Sequence, residues 1–377
     1  MKISVLQENL QRALAAAVRV VDSRPTLPVL ANVLLATEDS RLRISATNLE
    51  ISVTTWIGAK VHEQGAITLP AKTLQELVNN LSRERVDMTL DPATQTVNVQ
   101  CGAATSNIRG IDADEFPMVP VSGDADFSID ANVFKEMVKH TEFAAAKDES
   151  RPILTGIYVE IEGNVLTFAA ADGYRLAVRN AEIDTSFDEK VSLVIPSRTL
   201  AEVARVLSDD DDRVLVQLPG ERDLVIFQTQ HTEVSSQLLE GRFPDFTRII
   251  PESYSTMLII ETSDLLRAAK RAEIFARDNA NSASINIRPP EGPGDAGEML
   301  MVGKSAERGD NEGLLQATIE GEGLQISFNI KYLIDVLNVV DEDRVTIESN
   351  GAGNPGVLRP EGREDFIHVI MPMKPPR

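Results

Sequence analysis

Apolar and polar positions alternate along much of the chain, as they do in β-strands that bury one face. Residues 214–218 and 224–227 are two such runs. Elsewhere apolar residues recur at helical spacing, as Leu74, Leu77 and Val78 do in a helix predicted to start at Lys72 and to end near Arg83 and Arg85. Many short alternating runs with a few amphipathic helices predict an α+β fold, in which helices pack on one side of antiparallel sheets.

One strand-to-helix transition occurs three times. Segments 69–77, 195–203 and 328–336 each carry a strand-like run into a short helix. The repeat length is about 125 residues, which is the size of a domain rather than of a solenoid unit. The repeats predict three copies of one domain, spanning residues 1–121, 122–250 and 251–377.

A second repeated feature supports this division. Ser23-Arg24-Pro25 returns as Ser150-Arg151-Pro152, and each leads into an apolar strand, predicted at 29–35 and 153–159. Each copy is predicted to run strand, helix, several strands, helix, several strands. The third copy opens with a helix predicted at 263–277.

Composition places the chain among soluble globular proteins, with 42% hydrophobic and 25% charged residues. The start is too polar for a signal peptide, and no apolar run is long enough to span a bilayer. The single cysteine, Cys101, alternates with polar residues and is predicted to be a buried strand residue. These features favour a cytoplasmic protein without a membrane partner.

The net charge of −21 argues against a protein that is basic all over and binds nucleic acid tightly. Screening limits the reach of surface charge to about 8 Å, so a locally basic surface is still compatible with this total. The predicted helices carry basic residues in every repeat: Arg12, Arg19, Lys72, Lys135, Lys139, Arg198, Arg205, Arg267, Lys270, Arg271 and Lys331. For any one helix an ordinary solvated face is the better interpretation. Recurrence in all three repeats favours weak, sequence-independent phosphate contact.

Each candidate enzyme motif in the sequence lacks the surrounding residues that its chemistry requires. Residues 292–297 match the G-x-G-x-x-G pattern of dinucleotide-binding loops. Prolines lie within and just before this stretch, and no amphipathic helix follows it, so a surface loop is the better interpretation. The run Asp209 to Asp212 is better explained as a solvated loop than as a metal site. Asp172, Tyr174 and Arg175 are best explained as a turn between two strands. We therefore predict no catalytic residue, no metal site and no cofactor.

Four stretches together resemble the bacterial beta clamp, the beta subunit of DNA polymerase III. They are Ser-Arg-Pro-Thr-Leu-Pro-Val-Leu at 23–30, Asp-Gly-Tyr-Arg-Leu-Ala-Val at 172–178, Gly-Arg-Phe-Pro-Asp-Phe at 241–246 and Val-Ile-Met-Pro-Met at 369–373. Each is weak alone, but their order and spacing are specific, and the resemblance covers the whole chain.

The resemblance implies a non-catalytic sliding clamp. Two protomers would join head to tail into a ring of six domains, with helices lining a hole that holds duplex DNA. The implied partners are a second copy of the chain, DNA of any sequence, the DNA polymerase III catalytic subunit, the clamp loader, and other replication and repair proteins that carry clamp-binding peptides. The alternative is a monomeric β-rich protein–protein interaction scaffold that does not encircle DNA.

The resemblance also implies a peptide pocket between the second and third domains. Its residues would be Leu154, Gly173, Tyr174, Arg175, Leu176, Pro244, Ile249, Asn329, Tyr332, Val369, Ile370, Met371, Pro372 and Met373. For 369–373 a closing strand with a frayed tail is the alternative. Two departures affect peptide preference: Ala171 replaces a frequent threonine, and Pro375 to Arg377 extend the tail.

Two further sets of residues are implied. The DNA contacts would be Arg24, Lys72, Arg151 and Arg198. The dimer interface would pair Ile274 and Phe275 on a helix of the third domain with Ile108 on a strand of the first, although core packing is nearly as good an explanation for each.

Overall fold

The computed structural model describes residues 1–22, 24–208, 211–220, 223–290, 292 and 296–373. These residues form six α-helices and 23 β-strands, and every strand pair among them is antiparallel. The helices are α1 (Gln7–Ala17), α2 (Ala71–Asn79), α3 (Ala131–Thr141), α4 (Ser197–Val206), α5 (Thr262–Ala276) and α6 (Ile330–Leu337). The strands are β1 (Lys2–Leu6), β2 (Asn32–Glu38), β3 (Arg41–Thr47), β4 (Ile51–Gly58), β5 (Lys60–Glu63), β6 (Ala66–Pro70), β7 (Arg85–Asp91), β8 (Thr96–Cys101), β9 (Ala104–Arg109), β10 (Phe127–Asp130), β11 (Gly156–Ala171), β12 (Arg175–Pro196), β13 (Arg213–Gln217), β14 (Leu224–Gln228), β15 (Thr232–Gln237), β16 (Thr256–Glu261), β17 (Ser282–Arg288), β18 (Gly297–Ser305), β19 (Gly309–Gly321), β20 (Leu324–Asn329), β21 (Arg344–Ser349), β22 (Gly356–Pro360) and β23 (Phe366–Ile370).

The element order confirms the predicted threefold repeat. One strand and one helix open each copy (β1-α1, β10-α3, β16-α5), and further strands lead to the second helix and the closing strands. Helices α2, α4 and α6 each follow a strand directly. The second residue of each is basic: Lys72, Arg198 and Lys331.

The predicted strands at 29–35 and 153–159 begin later than expected. Residues Pro28–Ala31 and Pro152–Thr155 form 3-10 turns, and the strands start after them at Asn32 and Gly156. In each case a proline opens the turn, because its fixed φ suits a helical turn and it has no N–H to offer a sheet.

Two predicted helical positions also needed correction. Arg19 lies in a 3-10 turn after α1, not in the helix itself. Helix α2 ends at Asn79 and does not extend to Arg85, which opens β7. Asn80 stops the helix by donating its side-chain amide to the Glu76 carbonyl, at 2.8 Å.

The described chain divides into two compact units. The first unit contains residues 1–132 with the described part of 202–238. It holds a five-stranded sheet in the order β5-β1-β7-β8-β9 and an eight-stranded sheet in the order β10-β13-β14-β15-β4-β3-β2-β6. The second unit contains residues 133–201 with the described residues from Leu239 onward, and holds one sheet in the order β11-β12-β23-β22-β21-β16-β19-β18-β17-β20.

The two units do not follow the predicted boundaries at 121 and 250, because the strands of the middle repeat are shared. In the first unit β15 pairs with β4, from Thr232 opposite Thr55 to Ser236 opposite Ile51. In the second unit β12 pairs with β23. The middle repeat thus completes one sheet with each neighbour, and its residues are divided between the two units.

The helices pack on the sheets through small and aliphatic residues. In the second unit, Ala268, Ala269 and Ala272 of α5 are buried. A Cβ on Gly303 of β18 would lie 2.2 Å from the Ala272 carbonyl oxygen, so only glycine permits this approach. No helix within the described residues is long and apolar enough to cross a bilayer.

Candidate functional site

The turn between β11 and β12 shapes one side of the candidate pocket. Asp172 accepts two backbone hydrogen bonds through Oδ1, from Tyr174 N at 2.8 Å and Arg175 N at 3.1 Å. Gly173 has φ of +92°, which a residue with a side chain rarely adopts. The turn, as predicted, joins two strands. It leaves Tyr174 61% exposed while Arg175 points into the protein.

Arg175 is a buried cation with every side of its guanidinium engaged. Nε donates to Asp172 Oδ2 at 3.0 Å, Nη1 donates to Asp335 Oδ2 at 2.6 Å, and Nη2 donates to the Phe143 carbonyl. The guanidinium carbon lies 4.5 Å from the centre of the Tyr332 ring. Burial, reinforced by the Asp172 carboxylate, raises the pKa of Tyr332. Buried charges need such partners, so this cluster fixes the base of the turn against α6.

The last described residues form a second side of the pocket. Val369 and Ile370 are buried in β23, opposite Leu176 and Arg175. Beyond the strand, Met371 N donates to the Tyr174 carbonyl at 2.8 Å, and Met373 N donates to the Ser327 carbonyl at 2.8 Å. The closing strand of the alternative is present as far as Ile370, but its frayed tail is not, since Met371 and Met373 are hydrogen-bonded. The extension at Pro375 to Arg377 lies outside the described residues.

An apolar cluster forms the floor. Its buried members are Leu154, Ala169, Ala171, Leu176, Val178, Val194, Phe243, Val357 and Val369. Ala171 contributes a methyl group to this floor, which is consistent with an apolar rather than polar contact there. Around it Pro244, Ile249 and Met371 are exposed, while Asn329, Tyr332, Pro372 and Met373 are half-buried. Asn329 caps α6 by accepting a hydrogen bond from Lys331 N at 3.1 Å.

Three aromatic residues of the floor were missed by the sequence analysis. Tyr158 stacks on Phe243 with ring centres 5.4 Å apart, and Phe246 meets Phe243 edge to face at 6.4 Å. Gly241-Arg-Phe-Pro-Asp-Phe had been noted as a recognisable stretch, but only Pro244 was assigned to the pocket. The two phenylalanines of that stretch, Phe243 and Phe246, could have been assigned to the floor from their spacing.

Two histidines of the second unit are buried. Burial, helped by the nearby Arg175 charge, lowers the pKa of His368 to about 3. Burial also lowers the pKa of His140, whose ring stacks on Phe366 with centres 4.3 Å apart. Among the described residues no group of three or more His, Cys, Asp or Glu side chains is arranged to hold a metal ion.

An ion-pair network connects α3 to the closing strands of the second unit. Arg363 Nη1 donates to Glu136 Oε1 at 2.7 Å and to Glu342 Oε1 at 2.8 Å. Arg179 pairs with Glu136 at 3.2 Å and also with Asp365. Burial opposes ionisation of Glu136 and Asp365, yet the two arginines lower the pKa of both carboxyls overall. This network holds α3, β12 and the 361–365 turn together.

The predicted DNA contacts are all exposed. Arg24 and Lys72 belong to the first unit, and Arg151 and Arg198 to the second. Lys72 and Arg198 occupy the first turns of α2 and α4. Arg151 lies beside the pocket turn: a Cβ on Gly173 would be 3.1 Å from Arg151 Nη1.

The residues predicted at the dimer interface differ in exposure. Ile274 on α5 is 49% exposed, and Phe275 is half-buried. Leu314 on β19 is 57% exposed. Ile108 is only 7% exposed, on strand β9, which is the last strand of its sheet. The core explanation therefore describes Ile108 within one protomer, while Ile274 is an exposed apolar residue.

Comparison with known proteins covers the whole described chain. Models of the DNA polymerase III beta subunit match its N-terminal domain at residues 1–120, its central domain at 128–245 and its C-terminal domain at 247–374. The beta sliding clamp of Synechocystis is 31% identical over 99% of this chain and 99% of its own length. That of Bacillus subtilis is 29% identical over 99% of this chain and 100% of its own.

Solved structures agree with the sequence relatives. The Bacillus subtilis DNA polymerase sliding clamp superposes with a TM-score of 0.93 at 28% identity, and each chain is covered completely. The Pseudomonas aeruginosa sliding clamp bound to griselimycin has a TM-score of 0.92 at 26% identity, again with both chains covered completely.

Proposed function

We propose that this chain, which belongs to the DNA polymerase III beta subunit family of sliding clamps, encircles duplex DNA and tethers the replicative polymerase to it. The observation that carries this function is the ordered match of all three domain models along residues 1–374. The function is non-catalytic: the clamp confers processivity because a closed ring leaves DNA only by opening or by sliding off an end.

A topological tether explains how a strongly acidic chain can stay on DNA. With a net charge of −21, the protein is poorly suited to tight electrostatic binding of a polyanion. A ring needs only weak contacts, and Arg24, Lys72, Arg151 and Arg198 are exposed and suited to touching phosphates without reading sequence. Weak contacts also allow sliding, whereas a strong grip would oppose it.

The ring would close by head-to-tail dimerisation. The β9 edge of the first unit carries no further strand within the described chain. Residues 309–317 of β19 pair with β18 on one side only, and Leu314 and Ile274 are exposed there. An open strand edge beside exposed apolar side chains favours pairing with another chain. We therefore propose that β9 of one protomer meets β19 and α5 of its partner.

Partner proteins would bind the pocket in the second unit. Its apolar floor suits aliphatic or aromatic anchors of a short peptide, and the methionines at 371 and 373 can adapt to different anchors. The partners proposed for it are the polymerase catalytic subunit, the clamp loader, and other replication and repair proteins with clamp-binding peptides. We further propose that the protein acts in the cytoplasm. We also propose that its three domains meet near residues 121 and 250.

Retention on circular DNA tests this function. The dimer is loaded by a clamp loader onto nicked circular DNA, the DNA is linearised, and release is followed by gel filtration. We expect retention on the circle and loss after linearisation. Equal retention on both forms would mean ordinary binding, and no retention with a competent loader would favour the monomeric scaffold.

A further inference from the structure

Solvent exposure differs strongly among the nine methionines of the chain. Met257 and Met373 are half-buried, whereas Met118 is 87% exposed and Met371 is 39% exposed. The other five are buried in the core: Met1, Met88, Met137, Met299 and Met301. An oxidant in solution should therefore react first with the thioether sulfurs of Met118 and Met371, because oxidation requires access to the sulfur.

Met371 continues a strand ladder at the edge of the peptide pocket. Its backbone N donates to the Tyr174 carbonyl at 2.8 Å, directly after the pair formed by Ile370 and Arg175. Side chains alternate between the two faces of a strand, so Met371 lies on the same face as Val369, which belongs to the pocket floor. One of the two most exposed methionines thus borders the surface that a bound peptide would cover.

The reaction at this side chain is a two-electron oxidation by a peroxide. A lone pair of the sulfur attacks one peroxide oxygen, the S–O bond forms as the O–O bond breaks, and the thioether becomes a sulfoxide. Hydrogen peroxide is reduced to water in the same step. A methionine sulfoxide reductase reverses the change with electrons from a dithiol, which becomes a disulfide while the oxygen leaves as water.

Oxidation would change the contact at Met371 from apolar to polar. The buried members of the floor are leucine, alanine, valine and phenylalanine residues, so their side chains offer no hydrogen-bond donor to a sulfoxide oxygen. Arg175, beside the pocket turn, is already bonded to two carboxylates and a backbone carbonyl. A peptide that covers the sulfoxide would leave its oxygen without a donor, and burial of an unpaired polar atom opposes binding.

We propose that Met371 is a reversible oxidation site that controls the peptide pocket: its sulfoxide weakens partner binding, and reduction restores it. The inference rests on the peptide pocket of the proposed function and adds a chemical control to it. Leucine at this position would supply a similar apolar contact without reacting with a peroxide. Methionine therefore gives the pocket a sensitivity to oxidants that apolar packing does not require.

Peptide binding before and after oxidation tests this site on the full-length protein. The protein is treated with hydrogen peroxide, the oxidant is removed, and a fluorescent peptide from the polymerase's clamp-binding segment is titrated in anisotropy. Mass spectrometry of proteolytic fragments gives the sulfoxide content of each methionine. We expect Met118 and Met371 to be oxidised first and binding to weaken about tenfold, because an unpaired buried acceptor carries a penalty of that order. Treatment with methionine sulfoxide reductase and a dithiol should restore the original affinity.

Two leucine variants provide the matched comparison. M371L should bind the peptide equally well before and after treatment, whereas M118L, in the first unit, should still lose affinity on oxidation as the unsubstituted protein does. Each variant is compared with its own untreated sample, so any effect of the leucine on binding itself cancels. Thermal unfolding of treated samples establishes the peroxide dose at which the fold is unchanged, and the comparison is made at that dose.

A loss of affinity that persists in M371L would overturn the proposal, because the responsible group would then lie elsewhere. Unchanged affinity of the unsubstituted protein with Met371 fully oxidised would overturn it as well. In both cases the untreated protein still binds the peptide, so the proposed pocket stands. Absence of binding before treatment would refute the pocket itself, and its control by oxidation with it.

Discussion

Truncation after Ile370 should separate peptide binding from folding. The cut removes Met371, Pro372 and Met373 but leaves β23 complete, from Phe366 to Ile370. It deletes two backbone hydrogen bonds, from Met371 N to Tyr174 and from Met373 N to Ser327, both 2.8 Å long. At about 0.5–1.5 kcal/mol each, their loss should lower the free energy of unfolding by about 1–3 kcal/mol.

A cut only two residues earlier should have a different result. Val369 and Ile370 are 1% and 3% exposed and pair with Leu176 and Arg175. Removing two buried aliphatic side chains costs about 2–5 kcal/mol for each. Truncation after His368 should therefore destabilise the second unit itself, so loss of binding in that variant would not report on the pocket.

The assay is anisotropy of a fluorescent peptide from the polymerase's clamp-binding segment, with mass by light scattering and thermal unfolding measured in parallel. Met371 and Met373 are partly exposed, so each should contribute about half of a full side-chain burial, roughly 1 kcal/mol. We expect at least about tenfold weaker binding with the dimer mass unchanged. Truncation after Met373 is the matched control. A variant ending at Ile370 that binds the peptide like the full chain would refute the pocket assignment.

Three further variants probe other parts of the molecule. I274A/F275A should give monomers by light scattering, with thermal unfolding measured in parallel because Phe275 is half-buried; an undiminished dimer mass would reject that interface. Gly173→Ala should lower the free energy of unfolding by about 1–2 kcal/mol and weaken peptide binding, since alanine is strained at φ of +92°; calorimetry with unchanged values would contradict this. His368 has an ordinary pKa of 6.5 and a folded pKa of about 3, so the unfolded state gains its proton first as the pH falls. Stability should then decrease by about 1.4 kcal/mol per pH unit below about 6.5, and His368→Leu should abolish that part of the decrease in urea titrations at pH 5 and 7.

The sequence was most informative where a local pattern determines structure. Strand alternation and helical spacing gave the element order of all three repeats, because each depends on neighbouring residues alone. The errors were also local. Proline turns delayed the strands after residues 28 and 152, and a side-chain cap at Asn80 ended α2 early.

Contacts between distant segments could not be read from the pattern. Arg175 and Asp335 are 160 positions apart, yet they form the ion pair at the base of the pocket turn. Each stands among mostly apolar neighbours in the sequence, and no local pattern joins the two. Ile108 shows a different limit of the sequence. The alternating pattern predicts that its side chain is buried, but the pattern is the same whether the residue is buried in the core or at an interface.

The pocket and the proposed dimer interface use different residues of the second unit. The floor residues, the Arg175 cluster and the network around Glu136 all lie in the second unit, joined by the β12–β23 pair. Nothing in this arrangement depends on a second protomer, whereas Ile274 and Leu314 have no role in the floor. A monomeric I274A/F275A variant should therefore bind the polymerase peptide within about twofold of the dimer. Because a twofold change is only about 0.4 kcal/mol, a larger loss would mean that ring closure orders the pocket, and the two sites would have to be treated as coupled.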